Sequence, residues 1–132
     1  MICRALLAVA AWLTAAGGPP AAAMDCPSVD YDRVETLLTE APSCDWSMKL
    51  LLACQRGASG DVGSAMIVIR KCEGNFLASL SKRRRRAYGR QIGACWHRFT
   101  SESGSLFVSI RAICAAQVAH DYAARAAKHG GR

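Results

Sequence analysis

Five consecutive cations, Lys82 to Arg86, stand in the stretch LSKRRRRAYGRQIGAC, and two further arginines follow them. Arg and Lys donate charge-assisted hydrogen bonds to phosphate and carboxylate groups, so a run of this kind can bind anions. The sequence therefore predicts an anion-binding site, and its candidate residues are Lys82, Arg83, Arg84, Arg85, Arg86, Arg90 and Arg98. The alternative is a solvated helix end that has no ligand.

The cysteines are the second set of residues that could do chemistry. Of the seven in the chain, Cys3 lies in an apolar N-terminal segment, and removal of that segment leaves an even set: Cys26, Cys44, Cys54, Cys72, Cys95 and Cys114. An even set in a short chain is typical of a disulfide framework in an oxidising compartment. Pairing these six cysteines two by two in chain order gives separations of 18, 18 and 19 residues, and this near-equality favours disulfides across helical hairpins. The predicted pairs are Cys26–Cys44, Cys54–Cys72 and Cys95–Cys114.

No residue pattern predicts catalysis, a metal or a cofactor. The sequence contains no C-x-x-C, phosphate loop or nucleophile elbow. Cys95 and His97 would point about 200° apart on a helix, so they could not bind one ion together. We expect surface or structural roles for His97, His120 and His129. We expect helix caps and solvated charges at Asp30, Asp32, Asp61 and Glu73. The protein is therefore predicted not to be an enzyme.

Residues 1–23 have the pattern of a cleaved export signal. Arg4 precedes an apolar run of 12 residues from Ala5 to Ala16, and the small residues of GGPPAAA follow it. This run is too short to span a bilayer as a helix. We expect cleavage near Ala23, a periplasmic or secreted protein, and no transmembrane span after signal removal. In the alternative, the chain begins at Met24, stays in the cytosol and binds nucleic acid.

Helical periodicity predicts the elements that carry these residues. SVDYDRVETLLTE offers Ser28 or Asp30 as an N-cap, and SCDWSMKLLLACQRG offers Ser43 or Asp45. The stretch MIVI, residues 66–69, has strand propensity, but no other segment could pair with it, so a helix is predicted there. The predicted fold class is all-α, a small disulfide-stapled helical bundle built from helical hairpins, with residues 24–132 as its single cysteine-rich domain.

The last hairpin has the clearest pattern, with two apolar stripes on either side of SESGS, residues 101–105. The first stripe contains Tyr88, Ile92, Cys95, Trp96 and Phe99. The second contains Leu106, Ile110, Ile113, Cys114, Val118 and Tyr122. Helices joined by a short turn pack antiparallel, so Cys95 and Cys114 should face each other. The first stripe, extended backwards, places Arg84 and Arg85 toward the core and the other cations outward, at a helix start that projects beyond the packed body.

Charge is unevenly distributed along the chain. Residues 24–45 contain six acidic residues and one basic residue, whereas residues 46–132 contain 15 basic and four acidic residues. The acidic segment could pack against the basic part or compete for its binding surface. In an exported protein, a basic patch meets phosphorylated lipid headgroups, acidic glycans or acidic proteins more often than nucleic acid. We therefore expect a non-enzymatic binding protein of the bacterial cell envelope whose partner is an acidic envelope polyanion or a protein.

A family resemblance covers about residues 80–127. Arg86-Ala87-Tyr88 leads to Cys95, Gly104-Ser105 forms a turn, and Arg111-Ala112-Ile113 leads to Cys114. This hairpin resembles the C-terminal half of the small exported LprI-type lysozyme inhibitors, although Tyr88 stands where that family has tryptophan. The resemblance implies an all-helical periplasmic or secreted protein that blocks lysozyme. Because a basic lysozyme would be repelled by a basic surface, its docking face would be the acidic segment around Asp25, Asp30, Asp32, Glu35 and Glu40.

Overall fold

The structure is a computed structural model that describes residues 24–130, so the predicted signal peptide lies outside the described residues. Its helices are α1 (Tyr31–Glu40), α2 (Cys44–Cys54), α3 (Asp61–Glu73), α4 (Lys82–Trp96) and α5 (Ser105–Gly130), with a 3₁₀ turn at Leu77–Ser79. Residues 24–130 contain no β-strand. The all-α prediction is therefore confirmed, and so is the helix at MIVI, which lies within α3.

The first two helices begin at predicted caps. The Asp30 carboxylate accepts the backbone N–H of Asp32 at 2.9 Å, and the Ser43 hydroxyl accepts that of Trp46 at 3.1 Å. Each cap satisfies a backbone donor that has no partner inside the helix.

Helices α1 to α3 form two successive antiparallel hairpins, which we call the three-helix body. The Ser47 hydroxyl donates to the Leu38 carbonyl across the first turn, at 3.2 Å. Helix α5 packs along α3 on one side and along α4 on the other. The core lies between these layers, and its largest buried apolar side chains, none more than 2% exposed, are Leu38, Met48, Leu51, Val68 and Phe76.

The structure contains three disulfides, but two of the predicted pairs are wrong. The bonds are Cys26–Cys54, Cys44–Cys72 and Cys95–Cys114, with Cα separations of 4.8, 4.7 and 5.5 Å. The prediction is confirmed only for Cys95–Cys114, which brackets a turn between two helices.

The predicted pair Cys26–Cys44 has the whole of α1 between its members, and Cys54–Cys72 has nearly all of α3. A helix of 10 residues, such as α1, is about 15 Å long, so it holds the cysteines at its two ends too far apart to bond. In an antiparallel hairpin, the start of one helix lies beside the end of the next. Cys26 before α1 therefore meets Cys54 at the end of α2, and Cys44 at the start of α2 meets Cys72 near the end of α3.

The buried face of α5 also differs from the predicted stripe. Leu106 and Ile110 are 52% and 37% exposed, and the stripe's other members are only partly buried. The buried positions are small residues that let α5 approach α3 closely: Ser109, Ala112, Ala115, Ala116, Ala119 and Ala123. The bulky residues flank this contact. Phe99 likewise lies beyond the end of α4 and is 47% exposed, with its ring 5.8 Å from that of Phe107.

None of the described helices is both long enough and apolar enough to cross a membrane.

Candidate anion-binding surface

The five consecutive cations form the first turn of α4, and we call Lys82 to Arg86 the basic start. Ser81 caps this turn, and its hydroxyl accepts the backbone N–H of Arg84 at 3.3 Å. All five side chains are exposed. The positive end of the helix dipole disfavours cations here by a few tenths of a kcal/mol each, so the charges do not stabilise the helix start.

Two of the five side chains reach back toward neighbouring parts of the protein. The Arg85 guanidinium donates to the Leu77 carbonyl at 2.8 Å, and Arg84 lines a cleft beside α5. Lys82, Arg83 and Arg86 are exposed, as is Arg90 one turn further along α4. At about 100° per residue these four side chains point within about 100° of one another, so they form one cationic surface.

Arg98 does not belong to this surface. It lies beyond the end of α4, where its guanidinium is 3.7 Å from the Cys114 sulfur. Helix α4 has 15 residues and is about 22 Å long, so Arg98 is at the opposite end of the hairpin from the basic start. The structure brings together six of the seven predicted anion-binding residues.

The ion pairs between described residues lie elsewhere. Asp45 pairs with Lys49 at 2.8 Å and with His120 at 3.1 Å, and His120 also lies 3.7 Å from Asp121. Hydrogen bonds from Lys49 and then His120 lower the pKa of the Asp45 carboxyl. Within residues 24–130 no carboxylate pairs with a cation of α4, so the charge of the basic start is not neutralised there.

The acidic segment packs away from the basic start. Helix α1 contacts α2 and α3, whereas α4 packs against α5. Lys71 holds the end of α1 by donating to the carbonyls of Thr39 and Ala41, both at 2.8 Å. Most carboxylates that the family resemblance assigns to a docking face are exposed, namely Asp25, Asp30, Asp32 and Glu40, and Glu35 is partly buried.

One predicted solvated carboxylate, Asp61, is buried, and that expectation is wrong. Asp61 is 1% exposed, and its oxygens accept the backbone N–H groups of Arg56 and Ala58 at 3.0 and 3.2 Å. The Ser109 hydroxyl donates to it at 2.6 Å and the Tyr31 hydroxyl at 3.4 Å. Asp61 thereby ties the α2–α3 loop to α5. Burial, followed by the negative charge of Asp61, raises the pKa of Tyr31.

Glu73 is also not a simple solvated charge. It accepts the hydroxyl hydrogen of Tyr88 at 2.8 Å, which links the end of α3 to α4. Burial is the largest cause of the strongly raised pKa of Tyr88, and Glu73 adds to it. The Tyr88 ring packs against those of Phe76 and Tyr122, with centroids 5.2 and 5.0 Å away.

A cleft of about 560 Å³ beside the basic start was missed by sequence reasoning. It lies between the start of α4 and the end of α5. The part contributed by α5 includes Tyr122, Ala126 and His129, which are spaced i, i+4, i+7 on one helix face. That spacing marks one face of α5, but the contact of this face with the start of α4 depends on tertiary packing.

The histidines divide between surface and structural positions. His97 and His129 are exposed, whereas His120 is partly buried and contacts Asp45 and Gln117. Among the residues that the structure describes, no group of three or more His, Cys, Asp and Glu side chains could hold a metal ion.

Comparisons with protein-family models, curated proteins and solved structures give no match to this chain. The resemblance to LprI-type inhibitors therefore stays a prediction.

Proposed function

We propose that the protein is a non-enzymatic binding protein of the cell envelope that contacts acidic envelope components through the basic start and Arg90. One observation carries the proposal. Six exposed cations lie within residues 82–90 of α4, and within residues 24–130 none of them forms an ion pair with a carboxylate. Exposed arginines and lysines attract phosphate-bearing surfaces by about 1 kcal/mol each.

The disulfides support an extracytoplasmic location. Three disulfides in a small domain are typical of proteins that fold in an oxidising compartment. We propose that residues 1–23 are a signal peptide removed near Ala23, and that the mature protein is periplasmic or secreted.

Intact mass with and without reduction tests the location. A chain that begins near Met24 and gains six hydrogens on reduction supports export. A cytosolic chain with free thiols contradicts it and favours nucleic acid as the partner of the basic start.

Vesicle co-sedimentation tests the binding surface. We expect the oxidised protein to bind phosphatidylglycerol vesicles at about 20 mM salt, to lose most of this binding at about 500 mM, and to ignore phosphatidylcholine vesicles. Replacing Lys82, Arg83 and Arg86 by Gln should weaken the binding about 100-fold, from about 1 kcal/mol per cation.

The matched control removes three cations from the three-helix body by replacing Arg33, Lys49 and Arg70 with Gln. It changes the net charge by the same amount, and all three residues are exposed. We expect it to lower affinity less than about fivefold. Equal losses in the two variants would show that net charge, rather than the basic start, determines binding.

A second candidate function is inhibition of lysozyme, as the family resemblance implies. The exposed carboxylates on and before α1 favour it, because they could face a basic enzyme without interference from α4. A stoichiometric complex with lysozyme that survives Gln at Lys82, Arg83 and Arg86, but is lost on replacing Asp30 and Asp32 by Asn, would support this function over the first.

A further inference from the structure

The cleft beside the basic start combines an apolar floor with a cationic rim. Its apolar lining residues, which we call the floor, are Phe76, Leu80, Tyr122 and Ala126, and its lining cations, which we call the rim, are Arg84 and Arg125. None of the residues that line it is acidic. Its volume of about 560 Å³ lies within the range of sites that hold one small molecule, so the cleft suits a single ligand rather than an extended surface.

The floor is held in place before any ligand arrives. Phe76 is 2% exposed, and its ring centroid lies 5.5 Å from that of Tyr122. The Tyr122 hydroxyl accepts a hydrogen bond from Gln91 at 3.2 Å, which fixes it against α4. A ligand would therefore lose little affinity to the ordering of these side chains.

Arg125 is also positioned in advance. Its guanidinium lies 4.7 Å above the Tyr122 ring, and its Nε donates to the Asp121 carbonyl at 3.0 Å. Its terminal nitrogens make no hydrogen bond to the described residues. Arg84 reaches the same cleft from the first turn of α4. Two guanidinium groups from different helices can thus converge on one anionic group.

We propose that this cleft binds an amphiphilic anion, a phosphate group that carries one apolar chain. The phosphate would lie between Arg84 and Arg125, and the chain would lie along Phe76, Leu80 and Ala126. The proposal deepens the proposed function, because it assigns to part of the same cationic surface a ligand with an apolar part. A free phosphate ion would contact only the rim. A membrane surface would contact only the exposed cations of α4 outside the cleft.

Calorimetry with three probes tests whether binding requires both the phosphate group and the apolar chain. The probes are lysophosphatidylglycerol below its critical micelle concentration, glycerophosphoglycerol as its head without the chain, and a monoacylglycerol as a single chain without phosphate. We expect the first to bind at least about tenfold more tightly than either of the others, because only it uses both the rim and the floor. Equal affinity for glycerophosphoglycerol would overturn the proposal.

Two variants separate the cleft from the remaining cations. Arg84→Gln with Arg125→Gln should weaken lysophosphatidylglycerol binding about tenfold or more, whereas Arg33→Gln with Arg70→Gln, which removes the same charge from the three-helix body, should change it less than about threefold. Ala126→Trp, which narrows the cleft without changing charge, should also weaken it about tenfold. All four arginines are exposed, so the two double arginine variants are expected to fold.

The results distinguish this inference from the proposed function. If Ala126→Trp and the Arg84/Arg125 pair leave lysophosphatidylglycerol binding unchanged while vesicles still bind, the cleft proposal fails and the proposed function stands. If lysophosphatidylglycerol binds as expected but the wild-type protein does not bind anionic vesicles, the cleft proposal stands and the proposed function fails.

Discussion

The carboxylates of the three-helix body and the cations of α4 contribute differently to the molecule. Asp30 caps α1, and the buried Asp61 carboxylate accepts hydrogen bonds from four donors. In the basic start, by contrast, Arg85 alone makes a side-chain hydrogen bond to a described residue, and every cation is exposed. Asp30 and Asp61 thus maintain the fold. The cations of α4 add little to stability, which leaves them available for binding.

The largest effect is expected at Asp61. Replacing Asp61 by Ala leaves two loop N–H groups and the Ser109 hydroxyl without an acceptor, so we expect a loss of about 3 kcal/mol or more in the free energy of unfolding. Urea denaturation measures it. Ser64→Ala is the control, because Ser64 is equally buried but its hydroxyl makes no hydrogen bond to the described residues. Similar losses in both variants would contradict the role assigned to Asp61.

Tyr88→Phe tests the hydrogen bond that links the end of α3 to α4. Loss of the hydrogen bond to Glu73 should cost about 1.5 kcal/mol, because the acceptor is charged. The same phenol predicts a pH dependence. Since its folded pKa is raised, its contribution is fully present below the unfolded pKa of about 10 and is lost as pH rises above that value.

Stability of the wild type should therefore fall above about pH 10, and Tyr88→Phe should fall less steeply there. Tyr31→Phe provides the comparison. Tyr31 also has a raised pKa but is only partly buried, so its replacement should reduce the alkaline loss of stability less than Tyr88→Phe does. Identical alkaline slopes for wild type and Tyr88→Phe would show that Tyr88 does not cause the loss.

A smaller effect is expected at the cap of α1. Asp30→Ala should cost about 1 kcal/mol, because the N–H groups of Asp32 and Arg33 lose their acceptor. Asp32→Ala is the control, because Asp32 is an acidic residue of the same first turn but does not cap the helix. The loss of stability on thermal unfolding is compared between the two variants. If both cost the same, the effect comes from charge in the first turn and not from the cap.

The smallest change in stability is expected in the basic start. Replacing Lys82, Arg83 and Arg86 by Gln should leave stability unchanged or raise it by a few tenths of a kcal/mol, because cations oppose the helix dipole there. A loss of more than about 1 kcal/mol would show that these side chains support the fold, and would remove the contrast with the carboxylates.

Periodicity and caps predicted the helices and the all-α class from the sequence. Asp30 and Ser43 mark helix starts by local chemistry, which needs no knowledge of the fold. Cys95 and Cys114 were also paired correctly, because one turn separates their helices. The other two bonds join alternate cysteines, and their pairing follows from the antiparallel order of α1, α2 and α3.

Tertiary packing explains the remaining differences. The buried face of α5 is built of alanine and serine, whose small side chains give a weaker periodic signal than the leucine and isoleucines beside them. Asp61 is a common first-turn residue by sequence, and only the approach of Ser109 from α5 makes it a buried acceptor. The cleft combines lining residues up to 54 positions apart, from Phe76 to Gly130, so no local pattern could reveal it.

Mapping backbone amide NMR shifts during titration with inorganic polyphosphate tests the central claim most directly. The account predicts that the salt-sensitive shifts fall on residues 82–90 and on the end of α5, with α1 and the α4–α5 turn unchanged. Shifts centred on α1 or on the turn near Arg98, with residues 82–90 unaffected, would contradict it.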